Sequence, residues 1–224
     1  MDLSNKVVVI MGASSGMGAA ISRKLAADGA KLVIAARRLD RLEKIQAEFP
    51  EGQVLIKQAD VTKIDNNAGI MPQSPLIDGK RDEWQRTIDT NINGVLNGIA
   101  AALPQMVKQG SGHVIATDSV GGHVIFPNGA VYSGTKFAVR AIMDGLRKEQ
   151  AENNIKTTIV SPGATETDLY KTNDPELDQQ GHKMMKQMGA LQPEQIADAV
   201  EFAIGTKANM SVSEILVRPT KQSD

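Results

Sequence analysis

Residues 6–30 read "KVVVIMGASSGMGAAISRKLAADGA". The β-branched run Val7–Ile10 ends in Gly12, so it predicts a buried strand over 6–12. Apolar residues at helical spacing follow over 17–30, closed by Gly29. Between them lies "GASSGMG", residues 12–18, with glycines at 12, 16 and 18. Glycine tolerates positive φ and lets backbone amides approach a ligand closely. A helix start adds free N–H groups and the positive end of the helix dipole, a place for a pyrophosphate. Gly12, Ser14, Ser15, Gly16, Met17 and Gly18 are therefore candidate cofactor-binding residues.

The same alternation continues along the chain. Strands are expected at 31–38, 52–61, 112–119, 155–163 and 213–219, and helices at 39–50, 82–109, 132–153 and 193–205. This order predicts an α/β fold: one Rossmann-like domain, a doubly wound parallel sheet with helices on both faces. The second strand ends in "IAARRLD", with Arg37 and Arg38 where a dinucleotide site often carries an acid for the ribose hydroxyls. Two guanidiniums there suit a 2′-phosphate, through charge-assisted bonds that a carboxylate would oppose. The expected cofactor is NADP(H), with Ser14 as an extra phosphate contact. Asp60, ending the third strand, is placed to accept from the adenine amino group, with Val61 beside it.

Composition narrows the class. The chain has 224 residues, 41% apolar and 23% charged, with a formal net charge of −1. That suits one soluble domain with a sizeable core and gives no global pull toward nucleic acid or anionic membranes. No apolar run approaches the ~18–20 residues of a membrane span. The N-terminus lacks the signal-peptide pattern. There are no cysteines, and the three histidines lack metal-ligand spacing, so no metal is expected and a cytoplasmic location is. The histidines read as loop or surface residues.

The second informative stretch is "VYSGTKF", residues 131–137, which holds one of only two tyrosines. Tyr132 and Lys136 are four apart, on one face of a helix. A free phenol has a pKa near ~10 and is a poor base at neutral pH. An ammonium ~4 Å away at an effective dielectric of ~20 interacts by roughly 4 kcal/mol, enough to lower it by up to about 3. Ser119, at the end of a strand, can bond a substrate oxygen as charge develops there. Tyr170 has only the adjacent Lys171 and no matching serine.

The segments "GASSGMG", "ADV" (59–61), "NNAG" (66–69), "NING" (91–94), Ser119, "YSGTK" (132–136) and "PGATET" (162–167) stand in order along nearly the whole chain. In this the chain resembles the short-chain dehydrogenases/reductases in their compact form. The resemblance implies hydride transfer between a nicotinamide and an alcohol or carbonyl. Tyr132 would be the proton donor or acceptor, Ser119 the oxygen-binding group, and Lys136 a holder of ribose hydroxyls. Asn91 would support a water joining Lys136 to solvent. Asn67, Ala68 and Gly69 would border the cofactor. Pro162 and Gly163 would bend the chain, and Thr165 and Thr167 would hold the nicotinamide carboxamide. Residues 168–190 fall where the family has its substrate loop. Met184, Met185 and Met188 there either line a pocket or form one side of a packed helix.

The resemblance also implies a homo-oligomer, a dimer or tetramer, through the helices at 82–109 and 132–153; otherwise these only cover the sheet. A small-molecule alcohol or carbonyl is the expected partner. A 3-hydroxy acid or a broad carbonyl set, a polyol and a simple ketone stay open. The reading from another class is a catalytically silent module that senses NADP(H) or binds a protein.

The chain departs from the family pattern in three places. Met11 stands where a threonine usually precedes the glycine loop. Asp118, before Ser119, replaces a small residue and either adds local charge or points away. The largest departure is "DVTKID", residues 60–65, where only three residues separate "DVT" from "NNAG". A crossover needs at least ~10–12 residues, so a helix and strand of roughly two dozen residues have no room. In the strand order 3-2-1-4 the jump covers about 14 Å, and six extended residues span ~20 Å. Losing the fourth strand would, however, expose unpaired backbone groups at about 1–3 kcal/mol each. The expectation is that the molecule carries further residues between Lys63 and Asn66.

Overall fold

The structure, a computed structural model, describes residues 1–60, 69–169 and 175–223. The first half forms β1 (Val7–Met11), α1 (Gly16–Ala27), β2 (Lys31–Ala36), α2 (Leu39–Gln46) and β3 (Val54–Gln58). The second forms α3 (Arg81–Ile88), α4 (Gly94–Lys108), β4 (Gly112–Thr117), α5 (Ala130–Glu149), β5 (Ile155–Pro162), α6 (Pro175–Met188), α7 (Pro193–Ile204) and β6 (Glu214–Val217). Every strand pairing among the described residues is parallel. The Rossmann-like alternation expected from the hydrophobic runs is present.

Alternate residues of β5 show how the layers stack. Ile159 packs with Val95, Val139 and Met143 of α4 and α5. Val160 joins the opposite cluster with Leu25 of α1 and Ile196 of α7. Successive strand side chains point to opposite faces, so helices cover both sides of this sheet. The cluster holding Val160 also contains Ile10, Leu32, Ile34 and Val54 from β1, β2 and β3, so one core spans both halves.

The sheet corrects one expectation. A single sheet ordered 3-2-1-4 was expected; the described residues form two three-stranded sheets, β1-β2-β3 and β4-β5-β6. The physical reason is that no described strand lies between β1 and β4. One face of the first sheet is also uncovered among the described residues. Val9, Val33 and Leu55 are in register across it, and Val7, Val9 and Leu55 are 74%, 58% and 55% exposed. The "DVTKID" connection, apart from Asp60, lies outside the described residues.

Several element ends are shorter than expected. The strand at 52–61 is paired only over Val54–Gln58, and the helix at 39–50 ends at Gln46. The helix expected over 82–109 is interrupted by a π turn, Asp89–Asn93. Such turns recur at functional sites, and this one carries Asn91. His113 is not a surface histidine: it lies in β4, bonds Thr158 Oγ1 over 2.7 Å, and burial pushes its pKa down to about 4. In α6, Met185 is buried while Met184 is exposed, so Met185 packs inward. No helix among the described residues is long and apolar enough to cross a membrane.

Candidate active site

The glycine loop is built as its sequence requires. Gly12 and Gly16 have φ of 70° and 52°, a region costly for residues with a Cβ. A Cβ on Gly18 would collide with the Gly12 carbonyl oxygen. The third glycine thus lets α1 begin directly against the end of β1. Ser15 caps α1 in extended conformation, and its side chain makes no capping bond. Ser14 and Ser15 instead receive the Arg38 guanidinium: Nη2 donates to Ser15 Oγ over 2.7 Å and to Ser14 Oγ over 3.2 Å. Arg37 is exposed, and its carbonyl accepts from Gln58 Nε2. The end of β2 and the glycine loop therefore meet in one cationic corner. Met17 packs against the core cluster from the first turn of α1. These residues fit a dinucleotide: a close-approach cradle at Gly12–Gly18, free N–H groups at a helix start, and a guanidinium for a phosphate.

The rim is partly described. Asp60 follows β3 directly, whereas Val61, Asn67 and Ala68 lie outside the described residues, as does Tyr170. Gly69 faces the Asn91 carboxamide. Pro162 ends β5, and the Gly163 N–H donates to the Val217 carbonyl over 2.7 Å. Thr165 Oγ1 donates to the Gly163 carbonyl and is buried. The Thr167 methyl lies beside Gly16, 3.4 Å from where a Cβ there would be. "PGATET" is thereby brought to the glycine loop, from opposite ends of the chain.

The chemical end forms around Gly121. Ser119 follows β4 and opens a tight turn, Val120–Gly122. Its Oγ accepts from the Gly121 N–H over 3.0 Å, which leaves the hydroxyl proton available to a ligand. A Cβ at Gly121 would stand 3.4 Å from Ser119 Oγ and 3.0 Å from Tyr132 Cε1. The serine oxygen and the tyrosine ring thus converge on a position only glycine fits comfortably. Phe126 borders the same position, its Cε1 3.4 Å from it, with its ring centroid 6.2 Å from that of Tyr132.

Tyr132 and Lys136 lie one turn apart in α5, both buried. Lys136 Nζ is 5.8 Å from the Tyr132 ring centroid and donates to the Thr117 carbonyl over 2.9 Å. Burial pushes the Lys136 pKa down, and the Asp118 carboxylate opposes this. Asp118 itself is pushed up to about 6, chiefly by burial, with Lys136 pulling the other way. Asp118 does not point away: it supplies the local negative charge.

Asn91 is buried in the π turn. Its Nδ2 donates to the Ile70 carbonyl and to Thr135 Oγ1, each over 3.0 Å, and its Oδ1 accepts from the Ile70 N–H. Thr135 Oγ1 in turn donates to the Tyr132 carbonyl over 2.7 Å. Asn91 therefore ties the segment after "NNAG" to the helical turn carrying Tyr132 and Lys136. In the sequence Thr135 reads only as one of the small residues between Tyr132 and Lys136 that leave space for cofactor and substrate. Gly121 went unremarked, although a glycine pair directly after Ser119 was a usable signal.

Comparison with known proteins agrees with this geometry. The family model for the short chain dehydrogenases matches residues 6–66 and 64–178, two segments that meet at the short connection. An uncharacterized oxidoreductase of Staphylococcus saprophyticus is 49% identical over 245 residues, covering 99% of both chains. That alignment is longer than this chain's 224 residues, so the relative has residues without a counterpart here. Among solved structures, a closed serine dehydrogenase complexed with NADP+ superposes with a TM-score of 0.92 at 27% identity, covering 97% of this chain and 96% of that one. An alcohol dehydrogenase from the archaeon Thermococcus sibiricus, complexed with 5-hydroxy-NADP, gives 0.85 at 30%, covering 98% of each. With the glycine loop, the serine turn and the tyrosine–lysine helix in place, the chain belongs to the short-chain dehydrogenase/reductase family of oxidoreductases.

Proposed function

We propose that the chain is an NADP(H)-dependent oxidoreductase acting on a small alcohol or carbonyl, with Ser119, Tyr132, Lys136 and Asn91 as its working residues. The observation that carries this reading is the convergence of Ser119 Oγ and the Tyr132 ring on Gly121, with Lys136 one helical turn away. The cofactor, held by the Gly12–Gly18 loop and the Arg38 corner, supplies or accepts the hydride.

Each residue has a separate task. Ser119 already accepts from Gly121, so its own proton is directed to the substrate oxygen. Tyr132 gives a proton to that oxygen in reduction and takes it in oxidation. Lys136, as an ammonium, favours the phenolate. Its Thr117 bond fixes the chain while leaving two donors for ribose hydroxyls. Asn91 holds the turn through Thr135. The Thr165 backbone and the Thr167 hydroxyl would grip the carboxamide of the nicotinamide.

The substrate class rests on likeness to the serine and alcohol dehydrogenases above: a small 3-hydroxy acid or a broader carbonyl set, admitted by the loop at about 168–190. We also read α4 and α5 as faces of a homo-oligomer, since Leu96, Val107 and Phe137 on them are exposed. For the domain itself, we infer a single dinucleotide-binding unit completed by a helix and strand between Lys63 and Asn66. An intact mass of the native protein no greater than that of 224 residues would refute that last point.

The functional test follows nicotinamide absorbance with 3-hydroxy acids, polyols and ketones, for native protein and Tyr132→Phe. A loss of about 10²-fold or more is expected on removing the proton-transfer group. Equal rates in both would overturn the assignment.

A further inference from the structure

Behind Ser119 lies a polar cluster that the proton-transfer scheme does not use. Asp118 is 3% exposed, and its Oδ1 is buried with no hydrogen-bond partner. Its Oδ2 faces the hydroxyl of Ser161 on β5 at 3.4 Å. Ser161 is fully buried and also lies 3.4 Å from Glu214 Oε1 on β6 and 3.2 Å from His123 Nε2. His123 Nε2 meets Glu214 Oε1 at 2.9 Å. Arg140 of α5 closes the ring: Nη2 pairs with Glu214 Oε2 at 3.2 Å, and Nη1 donates to the Gly122 carbonyl at 3.0 Å. A cleft of about 200 Å³, bordered by Arg140, Thr157, Ser213 and Glu214, brings solvent to the outer end.

The ring encloses the Ser119 turn. Asp118 precedes the turn, and Gly122 ends it pressed against the same carboxylate, where a Cβ would collide with Oδ2. The Ser119 N–H faces that carboxylate and favours its charged form. The turn is thus held at its start by Asp118 and at its end by Arg140.

We propose that Asp118 is a positioning residue of this active site, whose charged form fastens the Ser119 turn to β5 and whose protonation loosens it. This deepens the oxidoreductase reading above and rests on it. The ionised carboxylate accepts from Ser161 and from the Ser119 N–H. A protonated one must donate its own proton, so Ser161 turns its hydroxyl toward Glu214 and the Ser119 N–H loses a charged acceptor. The groups facing Asp118 are Lys136 and Arg140 from α5, which favour its charge, and Glu214 from β6, which opposes it. His123, directly after the turn, is held below its ordinary pKa chiefly by burial, with Arg140 acting the same way and Glu214 opposing. Burial places the titration of Asp118 at about 6, inside the working range of most enzymes.

The test has one arm that needs no substrate. Hydrogen-exchange protection of the Gly121 amide, which measures its bond to Ser119 Oγ, is followed from pH 5 to 8 in native protein and in Asp118→Asn. The expected result is protection that rises at least ~3-fold from pH 5 to pH 8 through a midpoint near pH 6 in native protein, and flat, low protection in the variant. The second arm is the pH profile of kcat. Its acid limb should vanish in Asp118→Asn, with kcat about tenfold lower at pH 8, as misplacement of a catalytic group predicts. In Ser161→Ala the limb should move to higher pH, because the carboxylate has lost a donor. NADPH affinity should stay within about twofold in both variants. A Gly121 midpoint that persists in Asp118→Asn overturns the proposal, whether or not turnover is detected. Absence of turnover alone, with the Gly121 midpoint lost as expected, would sink the oxidoreductase reading and leave the turn's pH response standing.

Discussion

The Arg38 guanidinium donates to the Ser15 hydroxyl over 2.7 Å, joining the end of β2 to the first residue before α1. This fixes a positive charge at the mouth of the glycine loop, where a 2′-phosphate would lie. Both arginines are exposed, but Arg37 has no such anchor among the described residues. Arg38→Ala should therefore weaken NADPH binding by about 10–100-fold, the size of one charged hydrogen-bonding group, and leave NADH binding within about twofold. Arg37→Ala should cost NADPH less. Fluorescence titration with both cofactors checks this. Equal losses for NADH and NADPH in Arg38→Ala would remove the basis for NADP(H) preference.

Gly18 sets a second test, of packing instead of charge. Its missing side chain is what allows the Gly12 carbonyl to approach α1, and backbone on both sides has nowhere to go. Gly18→Ala should destabilise the fold by about 1–3 kcal/mol, the usual range for overpacking. NADPH affinity should fall with it, because Gly12 must move. Gly134→Ala is the control, since nothing lies within 4 Å of a Cβ there. Thermal melts with and without NADPH should separate the two variants.

Much of this site was legible because its signals are local. Glycines at 12, 16 and 18 after a β-branched run, and Tyr132 four before Lys136, each follow from the geometry of one element. The NADP(H) reading rested on Arg37 and Arg38 alike, yet only Arg38 reaches the loop. Sequence spacing cannot rank two adjacent arginines on opposite sides of a chain. The network behind Ser119 was illegible for a different reason. Asp118 and His123 flank the Ser119 turn, Arg140 lies on α5, and Ser161 and Glu214 lie on β5 and β6, so they meet only through helix packing and strand register, as in Ser161↔Leu216 and Ile159↔Glu214. His113 was misread because alternation in β4 is weak: neighbouring polar and apolar residues are buried to similar degrees.

The buried groups give opposite pH slopes of stability. His113 is pushed from about 6.5 down to about 4. Between these values the unfolded chain binds more protons, so this group's contribution is present above pH 6.5 and lost as pH falls, by on the order of 3 kcal/mol. Asp118 is raised from 3.8 to about 6. Here the folded chain binds more protons, so stability is lost as pH rises from about 4 to 6, also by on the order of 3 kcal/mol. The two largely cancel over pH 4–6. His113→Gln should make stability fall more steeply with rising pH there than in native protein. Asp118→Asn should make it rise more steeply. Urea unfolding at pH 4.5, 5.5 and 6.5 measures both differences; parallel curves for all three proteins would contradict the assignment.

The uncovered face of the first sheet leads to the last prediction. Val7, Val9 and Leu55 share that face with Val33, and three of the four are more than half exposed. A strand that is β-branched on both sides is one that packs on both sides. The described residues cover only the α1, α2 and α7 side. The gap between β1 and β4 and this bare face adjoin one another, and a single helix–strand unit would fill both. The family match divides at 64–66, the same connection. Grafting the corresponding segment of the staphylococcal relative between Lys63 and Asn66 of the 224-residue chain should therefore stabilise it. Re-covering three half-exposed apolar side chains is worth about 1 kcal/mol or more each, so Tm should rise by roughly 5–10 °C. A flexible glycine–serine insert of equal length fills neither space and should leave Tm unchanged or lower. If the graft does no better than the flexible insert, the bare face is native to this chain, and its two sheets stand without a strand between them.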